Sequence, residues 1–197
     1  MKKQRLKPQV QYLILLAGIT VICLIIRYCF PVGYDLDSLK NYGKTKHAEE
    51  IPVCASSSIK TYEDYRMITD ETSDQYRLIH TVMKKDRVTG LLYDPDGFIV
   101  VALGYQFGPV GTRYYFDLDT GITLPVIKID AKDPADASDG CKVDINGSVL
   151  EFVIDSRRAA KYFGTASNGL VLQGNFNSHP SFEGNIAHIE RITEEQE

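Results

Sequence analysis

The chain has 197 residues and 44% hydrophobic content, enough for one domain with a buried core plus extensions. Its net charge of −4 is uneven, because Lys2, Lys3, Arg5 and Lys7 precede the first apolar run and leave −8 on the remainder. An acidic body of this kind excludes a nucleic-acid-binding protein, whose affinity needs Lys and Arg clustered against phosphates, and disfavours adhesion to anionic polymers.

The first element is the uncharged run Tyr12–Ile26, YLILLAGITVICLII. Extended over residues 9–30, it has the roughly twenty residues that cross about 30 Å of hydrocarbon as a helix. Arg27 has a stem long enough to reach the interface, and Pro31 stops the helix. The basic flank predicts a cytoplasmic tail over residues 1–8 and an extracytoplasmic body, anchored as a single-pass protein in the plasma membrane. No small-x-small site follows the run, which argues for an anchor over a cleaved signal peptide. Residues 31–61 contain Gly33, Gly43, Pro52 and the Ser56-Ser57-Ser58 run, and read as a stalk. Outside the membrane segment a disulfide between Cys54 and Cys141 is chemically permitted, and two buried free thiols are the alternative.

The domain proper is expected over residues 62–193, with 194–197 as a tail. The stretch from Tyr62 to Lys85 is ambiguous, although Ser73 followed by Asp74 suits the start of a short helix. Tyr93-Asp94-Pro95-Asp96-Gly97 is a turn. Phe98–Leu103 is continuously apolar and reads as a strand buried on both faces. Thr112–Leu118 follows, then the Asp119-Thr120-Gly121 turn and a strand over Ile122–Ile129, with Pro125 at a rim or bulge position. Ala131–Val143 is an Asp-rich loop, and Asn146-Gly147 leads into a strand over Ser148–Ile154. Asp155 or Ser156 caps a two-turn helix ending at Gly164. Gly169–Phe176 and Ile186–Ile192 complete the count. The predicted fold is mainly β: a small six-stranded closed barrel with one or two short helices, behind a single transmembrane helix.

At these residues the chain resembles the double-psi β-barrel of the rare-lipoprotein-A type, a peptidoglycan-acting domain. GPVGTRYYF resembles that family's Gly-Thr-plus-strand motif, and VLEFVIDSRRAAKYFG resembles its strand, Ile-Asp-Leu-Ser segment and Ala-rich helix. From Tyr65 onward, SDQYRLI, VALG and NGSVLEFVID also resemble an uncharacterised group of membrane-anchored proteins of Gram-positive bacteria. The resemblance implies lytic transglycosylase chemistry, with Asp130 at the position of the family's catalytic aspartate. Where the family has a histidine six residues before the Gly of the Gly-Thr pair, this chain has Tyr105. A phenol with a reference pKa of about 10 cannot do an imidazole's proton work near neutrality.

Read from the residues, Asp130 follows an apolar strand, where partial burial would raise its pKa; a backbone-capping role is the alternative. Glu151 lies inside an apolar strand and either points outward or forms a carboxylate couple with Asp130, the pair a glycosidase uses. Tyr105, Phe107 and Tyr114 could line a ligand groove and stack on sugar rings, or they could pack in the core. Asp130, Asp133, Asp136 and Asp139 recur every three residues, but Pro134 and the missing late Glu fit a calcium loop poorly. The His and Cys residues show no zinc spacing and no phosphate loop or serine elbow is visible, so neither metal nor cofactor is expected. The resulting expectation is a cell-envelope module that binds a glycan such as peptidoglycan, or an envelope protein, without strong catalysis, and meets the membrane through its N-terminal helix. A peptidoglycan-cleaving enzyme using Asp130 and a protein-interaction scaffold are the alternatives.

Overall fold

A computed structural model describes residues 7–29 and 33–193 of the chain. The expectations for the basic residues Lys2, Lys3 and Arg5, for Pro31 and for the tail 194–197 lie outside the described residues. Two units emerge, one up to Gly33 and one from Tyr34 onward.

The first unit is helix α1, Pro8–Cys29, which takes in Gln9 and Gln11 at its start and Arg27 near its end. No helix among the described residues is long and apolar enough to cross a membrane. This corrects the spanning segment predicted over residues 9–30, and with it the single-pass plasma-membrane placement and the extracytoplasmic location built on that segment.

The second unit is built on a mixed sheet of nine strands among the described residues. Strands β1 (Ala48–Ile51), β2 (Lys60–Asp64), β3 (Lys84–Lys85), β4 (Leu92–Tyr93) and β5 (Ile99–Leu103) precede β6 (Arg113–Leu118), β7 (Thr123–Ala131), β8 (Leu150–Ile154) and β9 (Ile186–Ile192). The main path runs β1-β9-β6-β7-β5-β4-β3, and β8 branches from β5 to carry β2. No ladder among the described residues joins the ends, so the predicted six-stranded closed barrel is corrected to an open, nine-stranded mixed sheet. The count differs because the short strands β1 to β4, which show too little pattern to be read alone, extend the sheet, while residues 169–176 form no strand.

Local chemistry explains the main elements. Tyr114, Tyr115 and Phe116 of β6 are buried, and Gly121 at φ 83 turns the chain so that Leu118 N donates to Ile122 O at 2.8 Å. Pro125 lies just before β7 begins its ladder with β5 at Val126, where a missing N–H costs that ladder nothing. Helix α2 (Asp74–Thr81) is capped by Ser73, whose hydroxyl accepts from Tyr76 N at 3.1 Å. Helix α3 (Ser156–Phe163) is capped by Asp155 and ends at Gly164. The strand predicted over 169–176 is instead two single helical turns, Leu172–Gly174 and Phe176–Ser178, because Leu172 and Gln173 take positive φ.

The stretch predicted as a stalk belongs to the domain. Leu39 is fully buried, the Tyr34 hydroxyl donates to Gly97 O at 2.7 Å, and β1 extends the sheet alongside β9. Two apolar clusters form on opposite faces of β5. Ile99, Val101 and Leu103 join Phe116, Phe152, Phe176 and Phe182 on one face; Val100 joins Ile79, Ile127, Ile129 and Val153 on the other.

Candidate functional site: a carboxyl trio at the end of the central strands

The site begins with register. Ala102 of β5 is opposite Asp130 of β7 on one side and Glu151 of β8 on the other, and Glu151 is opposite Thr61 of β2. Residues directly opposite in neighbouring strands share a face, so Thr61, Glu151, Ala102 and Asp130 form one row. With only a methyl group at Ala102, nothing bulky stands between the two acids.

Asp130 reaches this face through a β-bulge. Val101 pairs with Lys128 and Ala102 with Asp130, so Ile129 is the extra residue. Regular alternation would put Lys128 and Asp130 on the same face; the inserted residue turns them to opposite faces, a common use of bulges near active sites. Lys128 then donates to Gly104 O at 2.9 Å and Gly108 O at 2.7 Å under the strand ends.

The third acid, Glu63 of β2, is absent from the sequence-based candidates. Its carboxyl comes close enough to Asp130 for the two to share a proton, although β8 and β5 separate their strands. A flat sheet would put those strands about 14 Å apart at three strand spacings, so this end of the sheet curls into a trough without closing. Burial, Asp130 and Glu151, in that order, push the Glu63 carboxyl up to about 8. Its Oε1 is buried and no donor reaches it. A carboxyl in that setting is satisfied by carrying its own proton, and Asp130 is the acceptor within reach. Asp130 Oδ1 also accepts from Ala131 N at 2.8 Å.

Glu151 is raised by burial, against the opposing pull of Lys132 and a hydrogen bond from Thr61. Thr61 Oγ1 lies 3.3 Å from Ser148 Oγ, and Lys132 Nζ donates to Ser148 O at 2.6 Å. The trio therefore holds one protonated acid, its acceptor, and a third acid with a cation and a hydroxyl beside it.

The loop from Lys132 to Ser148 frames the trough. Lys132 N donates to Leu103 O at 3.2 Å, and Gln106 N to Gly140 O at 3.1 Å. Gly104 and Gly140 meet backbone to backbone, and the Tyr105 ring lies over Gly140 with 56% of its surface exposed. Cys141 is bridged to Cys54, with the two Cα atoms 6.1 Å apart. Phe107 and Tyr114 are buried, edge to face at 5.6 Å between ring centroids, and belong to the core. Asp133 and Asp136 are exposed, and Asp139 is held low by Lys142 and the backbone N–H groups of Cys141 and Lys142.

Among the described residues, the His and carboxylate groups close enough to hold a metal ion are Asp117, His188 and Glu190. The ammonium of Lys44 lies 2.7 Å from Asp117 and 2.6 Å from Glu190, so a cation of the chain itself answers their charge. A cleft of about 580 Å³ is lined by Leu78, Val82, Val110 and Ile127, with the Asp94–Arg113 ion pair at 2.6 Å beside it.

Comparison with known proteins adds no relative. No family model, curated protein or solved structure matches this chain. The likeness to the double-psi family therefore rests on the quoted motifs alone, and its function on the chemistry of the trough.

Proposed function

We propose that the domain acts on glycans, with Glu63 delivering a proton to a glycosidic oxygen and Asp130 serving as its carboxyl partner. The observation that carries this reading is the burial of Glu63 beside Asp130 and Glu151, which pushes its carboxyl up to about 8 so that it keeps its proton near neutrality. Asp130 is also the position that the motif resemblance assigns to a catalytic aspartate of peptidoglycan cleavage. In the proposed step the C–O bond to the leaving sugar breaks as the proton arrives. Water, or a hydroxyl of the same sugar, takes the anomeric carbon, and its proton passes to Asp130 or Glu151. The exposed Tyr105 ring at the end of β5 supplies an apolar face for a sugar ring.

Binding without cleavage is the second reading, favoured by Tyr105 standing where the similar family has its histidine. Incubation of the full chain with purified peptidoglycan separates the two. Soluble fragments released by the native chain and lost in both Glu63→Gln and Asp130→Asn support cleavage. Cosedimentation with no soluble fragments supports binding alone, and the absence of both overturns glycans as the ligand.

A further inference from the structure

We infer that the cleft at the start of helix α3 is a binding site for a phosphate group, free or as the monoester of a small ligand. The inference stands apart from the glycan reading. Asp64, which anchors the cleft, directly follows Glu63 in β2 and starts toward the opposite face. The cleft has a volume of about 430 Å³, a size that suits a small molecule. It is lined by five cations, Arg66, Arg87, Arg157, Arg158 and Lys161, and by one acid, Asp155. Even with Asp64 behind Arg66 counted, positive groups outnumber acids by three. The chain beyond its N-terminal cations carries −8, so this concentration runs against its composition.

The two acids position two of the guanidinium groups. Arg66 donates to Asp64 Oδ2 at 2.5 Å and to Asp155 Oδ1 at 3.3 Å. Arg158 donates through Nε to Asp155 Oδ2 and through Nη1 to Arg87 O, both at 3.1 Å. A guanidinium has five N–H donors, so these bonds do not exhaust either group. The side chains of Arg157 and Lys161 are exposed and have no ion pair or hydrogen bond among the described residues. Their placement works against the helix. Arg157 and Arg158 occupy the first turn of α3, where a cation opposes the helix dipole, and no acid stands in that turn. Arg157 and Lys161 are four residues apart, so their charges repel on one side of the helix. Both are exposed, so packing does not offset the cost. A bound dianion relieves both effects, and arginine forks match the oxygens of a tetrahedral phosphate.

The test titrates the full chain with inorganic phosphate and with glucose 6-phosphate, each against sodium chloride at matched ionic strength. Thermal midpoints and phosphorus NMR shifts are read. The native midpoint should rise with phosphate by a saturable amount that chloride does not reproduce. Arg157→Gln together with Lys161→Gln should weaken phosphate binding by about tenfold or more. Lys84→Gln, outside the lining of the cleft, should leave binding unchanged. In chloride the double variant should be at least as stable as the native chain, which separates lost binding from lost folding. Tighter binding of the ester assigns the site to a phosphorylated ligand, and equal or weaker binding assigns it to the free ion. A midpoint that follows ionic strength alone, or a double variant that binds phosphate as the native chain does, overturns the assignment.

Discussion

Glu63 is the residue on which the stability of the trough should depend most visibly with pH. Its native value of about 8 lies above the ordinary 4.5, so between those values the folded chain holds a proton that the unfolded chain lacks. The stabilisation is complete below about 4.5 and is lost as pH rises through about 8. Glu151 is raised as well and acts in the same direction. Asp64, Asp117 and Asp139 are held low, so their contributions fall away only in acid, below this window. Urea midpoints taken at about pH 5 and about pH 8 should therefore drop for the native chain and drop less for Glu63→Gln, in which Glu151 still contributes. A second residue-scale consequence concerns Gly104, where a methyl group would meet the carbonyl of Gly140. Gly104→Ala should cost about 1–3 kcal/mol of unfolding free energy, as overpacked sites do. Gly43→Ala, with nothing within 4 Å, should show no such loss in the same denaturation experiment.

At the scale of elements, what was legible in the sequence is what is local. The Asp119-Thr120-Gly121 turn, the apolar run of β5, the Ser73 and Asp155 caps and β9 could all be read from neighbouring residues. Asp130 was legible as an acid following an apolar strand and Glu151 as one inside an apolar strand, and Ala102 brings them into one row. β2 was not legible. Its sequence KTYED begins with a buried lysine, whose ammonium finds Gly184 O at 2.7 Å, and its partner β8 lies some ninety residues later in a parallel ladder. Parallel pairing leaves no turn signal to read. Glu63 was missed with it, because only the curl of the sheet carries that side chain to Asp130. The aromatic group between the sheet and the 172–178 turns offers a test of this packing. Phe152 lies 5.0 Å from Phe176 and 4.9 Å from Phe182 by ring centroids. Phe152→Ala should lower stability by about 3–5 kcal/mol in denaturant titration, the usual cost of emptying such a site.

For the whole molecule, the Cys54–Cys141 bridge ties the segment entering β2 to the loop that links Asp130 with Glu151, across 87 residues of sequence. The three acids thus sit on pieces of chain that are distant in sequence and held together by one covalent link and one trough. Replacing Cys54 and Cys141 by Ser should lower unfolding free energy by about 4 kcal/mol on a chain-entropy basis, read as a lower urea midpoint of the variant relative to the oxidised native protein. The open sheet places its chemistry where β5 and β7 end and β8 begins, with β2 brought round to them, so the proton held by Glu63 is the feature on which the proposed glycan cleavage depends. The most direct measurement is the carboxyl titration of Glu63 in the full chain, in the native form and in Asp130→Asn. The expected result is a native midpoint near 8 that falls in Asp130→Asn yet stays above the ordinary 4.5, because burial remains after the neighbouring acid is gone. A native Glu63 that titrates at the ordinary value, or one that Asp130→Asn leaves unmoved, would contradict the coupled carboxyl pair at the centre of the trough.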